Sequence, residues 1–301
     1  MINKLKKFLV IDVETAGGLD NPLCYDIGFK IIDRLGNVYV AFSLVIYNIY
    51  AEQRELMKSA YYANKLPRYE IKLASGERKM VTFYTARKMI TDLMKEHNCS
   101  IVYAYNMNFD RRALNNTQKF LTNEKFKYFF PYNTEFRCIW HMACQVLMAR
   151  PSYIKFALKH NFVSAKGNIL TNAECCYRYL TNNVNFEEAH EGLDDVNIET
   201  EILLACLKQH KKMDTKPYQP CWRLVQKKRS EMFGLNEKEE EKLRECQLIA
   251  DSLNTAYTTS ARRYRANKIF EIIKQYPKLE KYILFDETKF KWADRFTFVG
   301  I

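Results

Sequence analysis

The run Phe8-Leu9-Val10-Ile11-Asp12-Val13-Glu14 constrains the fold most. A continuous apolar stretch that ends in acids reads as a strand buried on both faces, and such strands belong to α/β sheets covered by helices. The acids mark the C-terminal end of that strand, where sheets of this class open onto sites. Residues i and i+2 of a strand share a face, so Asp12 and Glu14 project together. Ala16-Gly17-Gly18 then breaks the strand.

Strand-like and helix-like stretches alternate over the first two hundred residues, the pattern of an α/β domain. Tyr25–Asp33 and Val38–Ile46, joined by the turn Leu35-Gly36-Asn37, complete an antiparallel meander with the first strand. Helices are predicted over Glu52–Asn64 and Thr82–His97, a fourth strand over Ile101–Tyr105, and a helix from Phe109 to Leu121 capped by Asn108. A fifth strand falls at Phe136–Ile139, and further helices at His141–Met148, Ser152–His160, Asn172–Leu180 and Asp194–Lys208. Charges and two prolines in Lys211–Pro220 set a boundary, giving domains 1–212 and 213–301.

Composition narrows the class. With 301 residues, 48% apolar, and only 9 Gly and 7 Pro, the chain can bury one sizeable core and a smaller second one; disordered and collagenous readings fall away. The net charge of +12 points to an acidic partner, nucleic acid first. From 216 to 301 there are 18 Lys or Arg against 12 Asp or Glu, so this mainly helical, basic extension holds half the net charge. Within it Ile269, Ile272, Ile273 and Tyr276 form one apolar stripe.

Nine cysteines without a CxxC pair suit a reducing cytosol. Cys138, His141 and Cys144 step by three, but their stretch reads as an apolar helix more than as a zinc site. Lys4, Lys6 and Lys7 precede an apolar run of four residues, too short for a signal peptide or a membrane span. The expectation is a cytoplasmic protein, in the host cytoplasm if viral, with no membrane partner.

Two more segments carry acids. Asn106-Met107-Asn108-Phe109-Asp110 follows a strand and opens a helix, which puts Asp110 near the positive end of the helix dipole. The other is His190-Glu191-Gly192-Leu193-Asp194-Asp195. Five residues of helix rotate by about 140°, so His190 and Asp195 converge only if His190 lies on the approach and Gly192 lets the chain turn.

Asp12, Glu14, Thr15 and Gly17 match a motif D-x-E-T followed by small residues; Asn106, Phe109, Asp110 and Leu114 match H-N-x-x-F-D-x-x-x-L; His190, Leu193 and Asp195 match H-x-A-L-x-D. In this order and spacing, residues 8–209 resemble the DEDDh (DnaQ-like) family of 3′-to-5′ exonucleases, in a phage-type form. Tyr105 stands where the family has His, and Gly192 where it has Ala. The resemblance implies a ribonuclease H-like fold, with a mixed five-stranded sheet flanked by helices. It also implies phosphodiester hydrolysis in DNA replication or repair.

By that resemblance Asp12, Glu14, Asp110 and Asp195 hold two Mg²⁺ or Mn²⁺ ions about 4 Å apart, and His190 is the general base. Asp194 competes with Asp195 for the third-motif role. Thr15, Ala16, Asn106 and Phe109 would receive the 3′-terminal nucleotide. In the extension, Arg262-Arg263-Tyr264-Arg265 reads either as a single-strand contact or as a solvated basic face. Single-stranded nucleic acid is the expected partner, DNA before RNA, in the company of replication proteins. An exoribonuclease and a non-catalytic, polymerase-associated module on the same fold are the rival functions.

Overall fold

In a computed structural model the chain divides into two compact units, residues 1–147 with 171–221, and residues 148–170 with 222–301. The structure describes residues 5–298 apart from 61, 62, 124, 166, 219 and 290.

The first unit is built on a six-stranded mixed sheet. Its chain runs β1 (Lys7–Ala16), β2 (Leu23–Asp33), β3 (Val38–Ile46), the one-turn helices α1 (Tyr47–Tyr50) and α2 (Arg54–Met57), α3 (Leu66–Ala74), β4 (Lys79–Val81), α4 (Phe83–Glu96), β5 (Ile101–Ala104), α5 (Met107–Leu121), β6 (Glu135–Cys138) and α6 (Ile139–Ala143). After α7 (Pro151–Lys159), which belongs to the second unit, α8 (Ala173–Thr181) and α9 (Gly192–Leu207) complete the first. Spatial order is β4-β3-β2-β1-β5-β6; β2 runs antiparallel to both neighbours, and β5 and β6 run parallel to β1. Leu9, Val10 and Ile11 of β1 are wholly buried, as the unbroken apolar run requires. Helices α5 and α9 both pack on β1 and β2.

The strands of the meander and the helix over 83–96, capped by Thr82, lie where the residue pattern puts them. Several expectations need correction. The sheet has six strands, not five, because the short and mostly exposed β4 adds to β3 in parallel. Glu52–Asn64 is not one helix: α2 is a single turn, its N-terminal neighbour Gln53 makes no capping bond, and a 3₁₀ turn follows at Ala63–Lys65. Helix α5 starts at Met107, so its cap residue is Asn106 rather than Asn108. His141–Met148 splits into α6 and a π-helical turn at Cys144–Met148.

The second unit holds α7, α10 (Arg223–Phe233), α11 (Glu237–Ser252), α12 (Thr259–Gln275) and a hairpin of β7 (Ile283–Phe285) and β8 (Phe296–Phe298). Asn236 and Glu239 form a capping box that starts α11. Ile269 and Ile272 of the apolar stripe are buried with Leu243, Cys246 and Leu253, and Ile273 and Tyr276 pack against them. Among the described residues no helix is long and apolar enough to cross a membrane.

Candidate active site

The site is assembled from β1, the start of α5 and the start of α9. The amide of Val13, between the two β1 acids, donates to Asp110 Oδ1 at 3.3 Å, which draws the first turn of α5 against the strand. His190 takes a left-handed backbone (φ 52°), and its amide donates to Asp195 Oδ1 at 3.2 Å. The turn into α9 is therefore made at His190, not at Gly192 as expected. Gly192 is glycine for another reason: a Cβ there would come within 2.5 Å of the Gly28 backbone, and one on Gly28 within 2.0 Å of Gly192. That contact of β2 with α9 excludes the Ala usual at the motif position, and it brings Asp195 toward β1.

The result is a dense field of carboxylates. One ligand atom each of Glu14, His190 and Asp195 lies within 4.8 Å of the others, although the chain separates Glu14 from Asp195 by most of the first unit. Asp12 and Asp110 fall outside that tight trio but within its field. Burial and then the charges of Glu199, Asp110, Asp195 and Glu14 push the Asp12 carboxyl well above the usual carboxylate range. Burial likewise raises Glu14, with Asp195 and Asp26 adding to it. Asp110 is pushed up to about 7 by burial, and Asp195 to about 8 by burial and then by Glu188. His190 is half-buried, which lowers its imidazole to about 4; Lys65 adds to the shift. Its Nδ1 lies 3.9 Å from Glu188 Oε2.

Two further acids belong to this field and were missed. Glu199 is 4% exposed, accepts from the amide of Tyr105 at 3.2 Å, and is raised by burial and then by Asp110. Its signal was present, since it stands one helical turn after Asp195 on the same face of α9. Glu188, raised to about 7 by burial and by Glu174, forms a second close trio with Glu174 and His190.

Of the other expected residues, Thr15 and Ala16 end β1, Asn106 leads into α5, and half-buried Phe109 carries the Arg112 guanidinium 5.8 Å above its ring. Tyr105, in place of the family's His, is a core residue: its hydroxyl donates to the Thr171 carbonyl and its ring stacks on Trp140. Cys138 Sγ and His141 Nδ1 lie 3.3 and 2.8 Å from the carbonyl oxygens of Tyr105 and Lys216. In the second unit Arg262 and Arg265 donate to the carbonyls of Ala256 and Ser252, beyond and at the end of α11, and Arg263 is exposed.

A second buried polar group adjoins the site, and here the acids meet cations. Asp26, opposite Glu14 in the β1–β2 register, accepts at Oδ2 from Arg78 (2.6 Å), Tyr69 (2.7 Å) and the Gly192 amide (3.1 Å). Arg78 also donates to Glu191 at 2.7 Å, and Lys72 reaches Glu191 and Asp194. Asp194 is therefore turned toward Lys72, while Asp195 faces the acids of β1.

No protein-family model matches the sequence, and no curated protein matches it. Among solved structures, the chain is similar to E. coli Exonuclease I in complex with a dA16 oligonucleotide, with 16% identity over 74% of this chain and a TM-score of 0.43. The match spans 42% of that structure's chain.

Proposed function

We propose that the first unit is a divalent-metal-dependent 3′-to-5′ exonuclease of the DEDDh type, acting on single-stranded nucleic acid, DNA before RNA. The observation that carries this reading is the convergence of Glu14, Asp195 and His190 within 4.8 Å, beside Asp12 and Asp110. Buried carboxylates this close cannot all ionise without a cation, and an all-oxygen donor set suits Mg²⁺ or Mn²⁺. Asp12, Glu14, Asp110 and Asp195 would hold the ions, with Glu199 behind Asp12. Bound there, the metal supplies an acidified water and neutralises charge on the scissile phosphate.

The chain's own groups do the rest. Burial holds His190 near 4, so it is unprotonated at neutral pH and suited to take a proton from the attacking water. Glu188, 3.9 Å from Nδ1, is placed to orient the ring. Thr15, Ala16, Asn106 and Phe109 border the acids and would enclose the terminal nucleotide.

Digestion of 3′- and 5′-labelled single strands of DNA and RNA, with Mg²⁺, Mn²⁺ or EDTA, tests the reading. The 3′ label should leave first as a mononucleotide, and EDTA should stop the reaction. Cleavage that persists in EDTA, or that begins at the 5′ end, overturns it.

A further inference from the structure

One surface of the first unit has no part in the site. It joins α4 to the stretch that links α5 with β6. Tyr132 is 79% exposed, Tyr84 67% and Tyr128 51%. Large rings left this bare on a soluble domain mark a contact surface when they cluster. Here they do: Phe126, Tyr128 and Tyr132 meet pairwise at 5.0 to 6.0 Å with interplanar angles of 63° to 81°. Each edge-to-face contact covers one ring's face, and the exposures of Tyr128 and Tyr132 show that ring surface remains open to solvent.

Two adjoining hollows flank the cluster and share Pro131 and Tyr132. The smaller, of about 230 Å³, is walled by Arg111, Asn115, Tyr128, Phe130 and Phe136. The larger, of about 510 Å³, is walled by Tyr84, Phe126 and three cations, Arg87, Lys88 and Lys95, against one acid, Asp92. Some of this charge is engaged: Lys88 pairs with Asp92, and Arg87 donates to the Phe129 carbonyl while its guanidinium lies 5.2 Å from the Phe126 ring centre. Arg111 and Lys95 are exposed and line the smaller and the larger hollow respectively, and the Arg111 guanidinium lies 5.0 Å from the Phe136 ring centre.

The location is as telling as the chemistry. Arg111 directly follows Asp110, and Asn115, whose side chain holds the Phe129 amide at 2.9 Å, lies about 7–8 Å further along the helix axis. The smaller hollow therefore lies along the exposed side of α5, the helix whose buried side carries Asp110.

Cations interleaved with open ring faces match a single-stranded polynucleotide, whose phosphates need neutralising and whose bases present flat faces to every ring they meet. We propose that this surface binds single-stranded polynucleotide, as the stretch of strand upstream of the 3′ terminus. The assignment of a 3′ terminus to the acid field rests on the proposed exonuclease function; the docking of single strand on the rings does not.

The test uses the full chain. Binding of a 5′-fluorescein oligothymidylate of about twelve nucleotides is measured in EDTA by anisotropy, with an oligouridylate of the same length as the RNA arm. Hydrolysis of a dinucleotide, too short to reach the rings, is measured in Mg²⁺. The double variant Tyr128→Ala with Tyr132→Ala is expected to weaken binding of the long strand about tenfold or more. It should leave dinucleotide hydrolysis within about twofold, and Tyr132→Phe should keep wild-type affinity because it keeps the ring. Arg111→Gln is expected to flatten the slope of log K against log salt by about 0.7. Wild-type binding by the double variant overturns the docking surface and leaves the exonuclease reading standing. Weakened binding in a protein that cleaves nothing supports the surface and overturns the exonuclease reading.

Discussion

Glu191 and Asp195 stand four residues apart where α9 begins, both almost wholly buried, and their carboxyls move in opposite directions. Burial alone would raise each. At Glu191 the hydrogen bond from Lys72 and the charge of Arg78 outweigh burial and hold the carboxyl below its ordinary range. At Asp195 the neighbours are acids, and it is pushed up to about 8. The same contrast spans β1 and β2, where Asp26 is held by Arg78 and Tyr69 while Glu14, its register partner, faces Asp195. One side of this boundary carries its own counter-charges. The other concentrates anions that only an added cation can balance, and that imbalance is what distinguishes a metal site from a structural ion-pair cluster.

Removing an acid from the unbalanced side should therefore separate function from stability. Asp195→Asn is expected to reduce nuclease turnover to background while raising the melting temperature of metal-free protein by a few degrees, since it removes a carboxyl that the fold can bury near neutral pH only by taking up a proton or by setting its charge against its neighbours. A thermal melt in EDTA beside a nuclease assay checks both, and a variant that loses stability would place Asp195 among structural acids.

The balanced side predicts the reverse. Arg78→Met leaves Asp26 and Glu191 buried without their shared guanidinium, an expected loss of about 3–5 kcal/mol in urea unfolding. A loss under about 1 kcal/mol would mean that Tyr69, Lys72 and the Gly192 amide suffice.

pH sharpens the comparison further. Asp110 and Asp195 have folded values near 7 and 8, above the ordinary carboxylate range, so across that window the folded state holds protons that the unfolded chain has released. Their contribution to stability is present at low pH and is lost as pH rises. His190 works in the opposite sense, because its lowered value costs stability only as pH falls from about 6.5 toward 4. From about pH 6.5 to 8 the carboxylates act alone, and metal-free protein is expected to lose on the order of 2 kcal/mol. Saturation with Mn²⁺ should reverse the trend, adding about 2.7 kcal/mol at a hundred times the dissociation constant. Calorimetric melts across that range test it; flat stability without metal would remove the unbalanced cluster.

How much of this the sequence showed follows from which interactions are local. Strand β1 and its paired acids were legible because burial on both faces leaves an unbroken apolar run, and the meander because its turns carry Gly and Asn. Strand β4 was not, being three residues long and largely exposed, with no alternation to read. The Asp26–Arg78–Glu191 group was invisible for a deeper reason: each member is an ordinary charged residue until register and helix packing bring them together. Arg262 and Arg265 show what a run of cations hides, since each also spends a donor within the fold, on the carbonyls of Ala256 and Ser252. The Gly192 turn was inferred from helical rotation, whereas the chain turns at His190 and uses Gly192 for its close approach to Gly28.

The smallest expected effect lies between the two sides, at Asp194. Its side chain is 43% exposed and meets Lys72 at 3.2 Å, a partly solvated pair worth about 0–1 kcal/mol. Lys72 keeps Glu191 when Asp194 is neutralised, so the balanced group stays closed. Asp194 also lies outside the trio of Glu14, His190 and Asp195. Asp194→Asn should then leave turnover within about twofold of wild type and the unfolding free energy within about 1 kcal/mol. Parallel nuclease assays of Asp194→Asn and Asp195→Asn decide which acid completes the third motif. Loss of turnover at Asp194 with retention at Asp195 would exchange their roles, and with them the side of the boundary on which the metal is held.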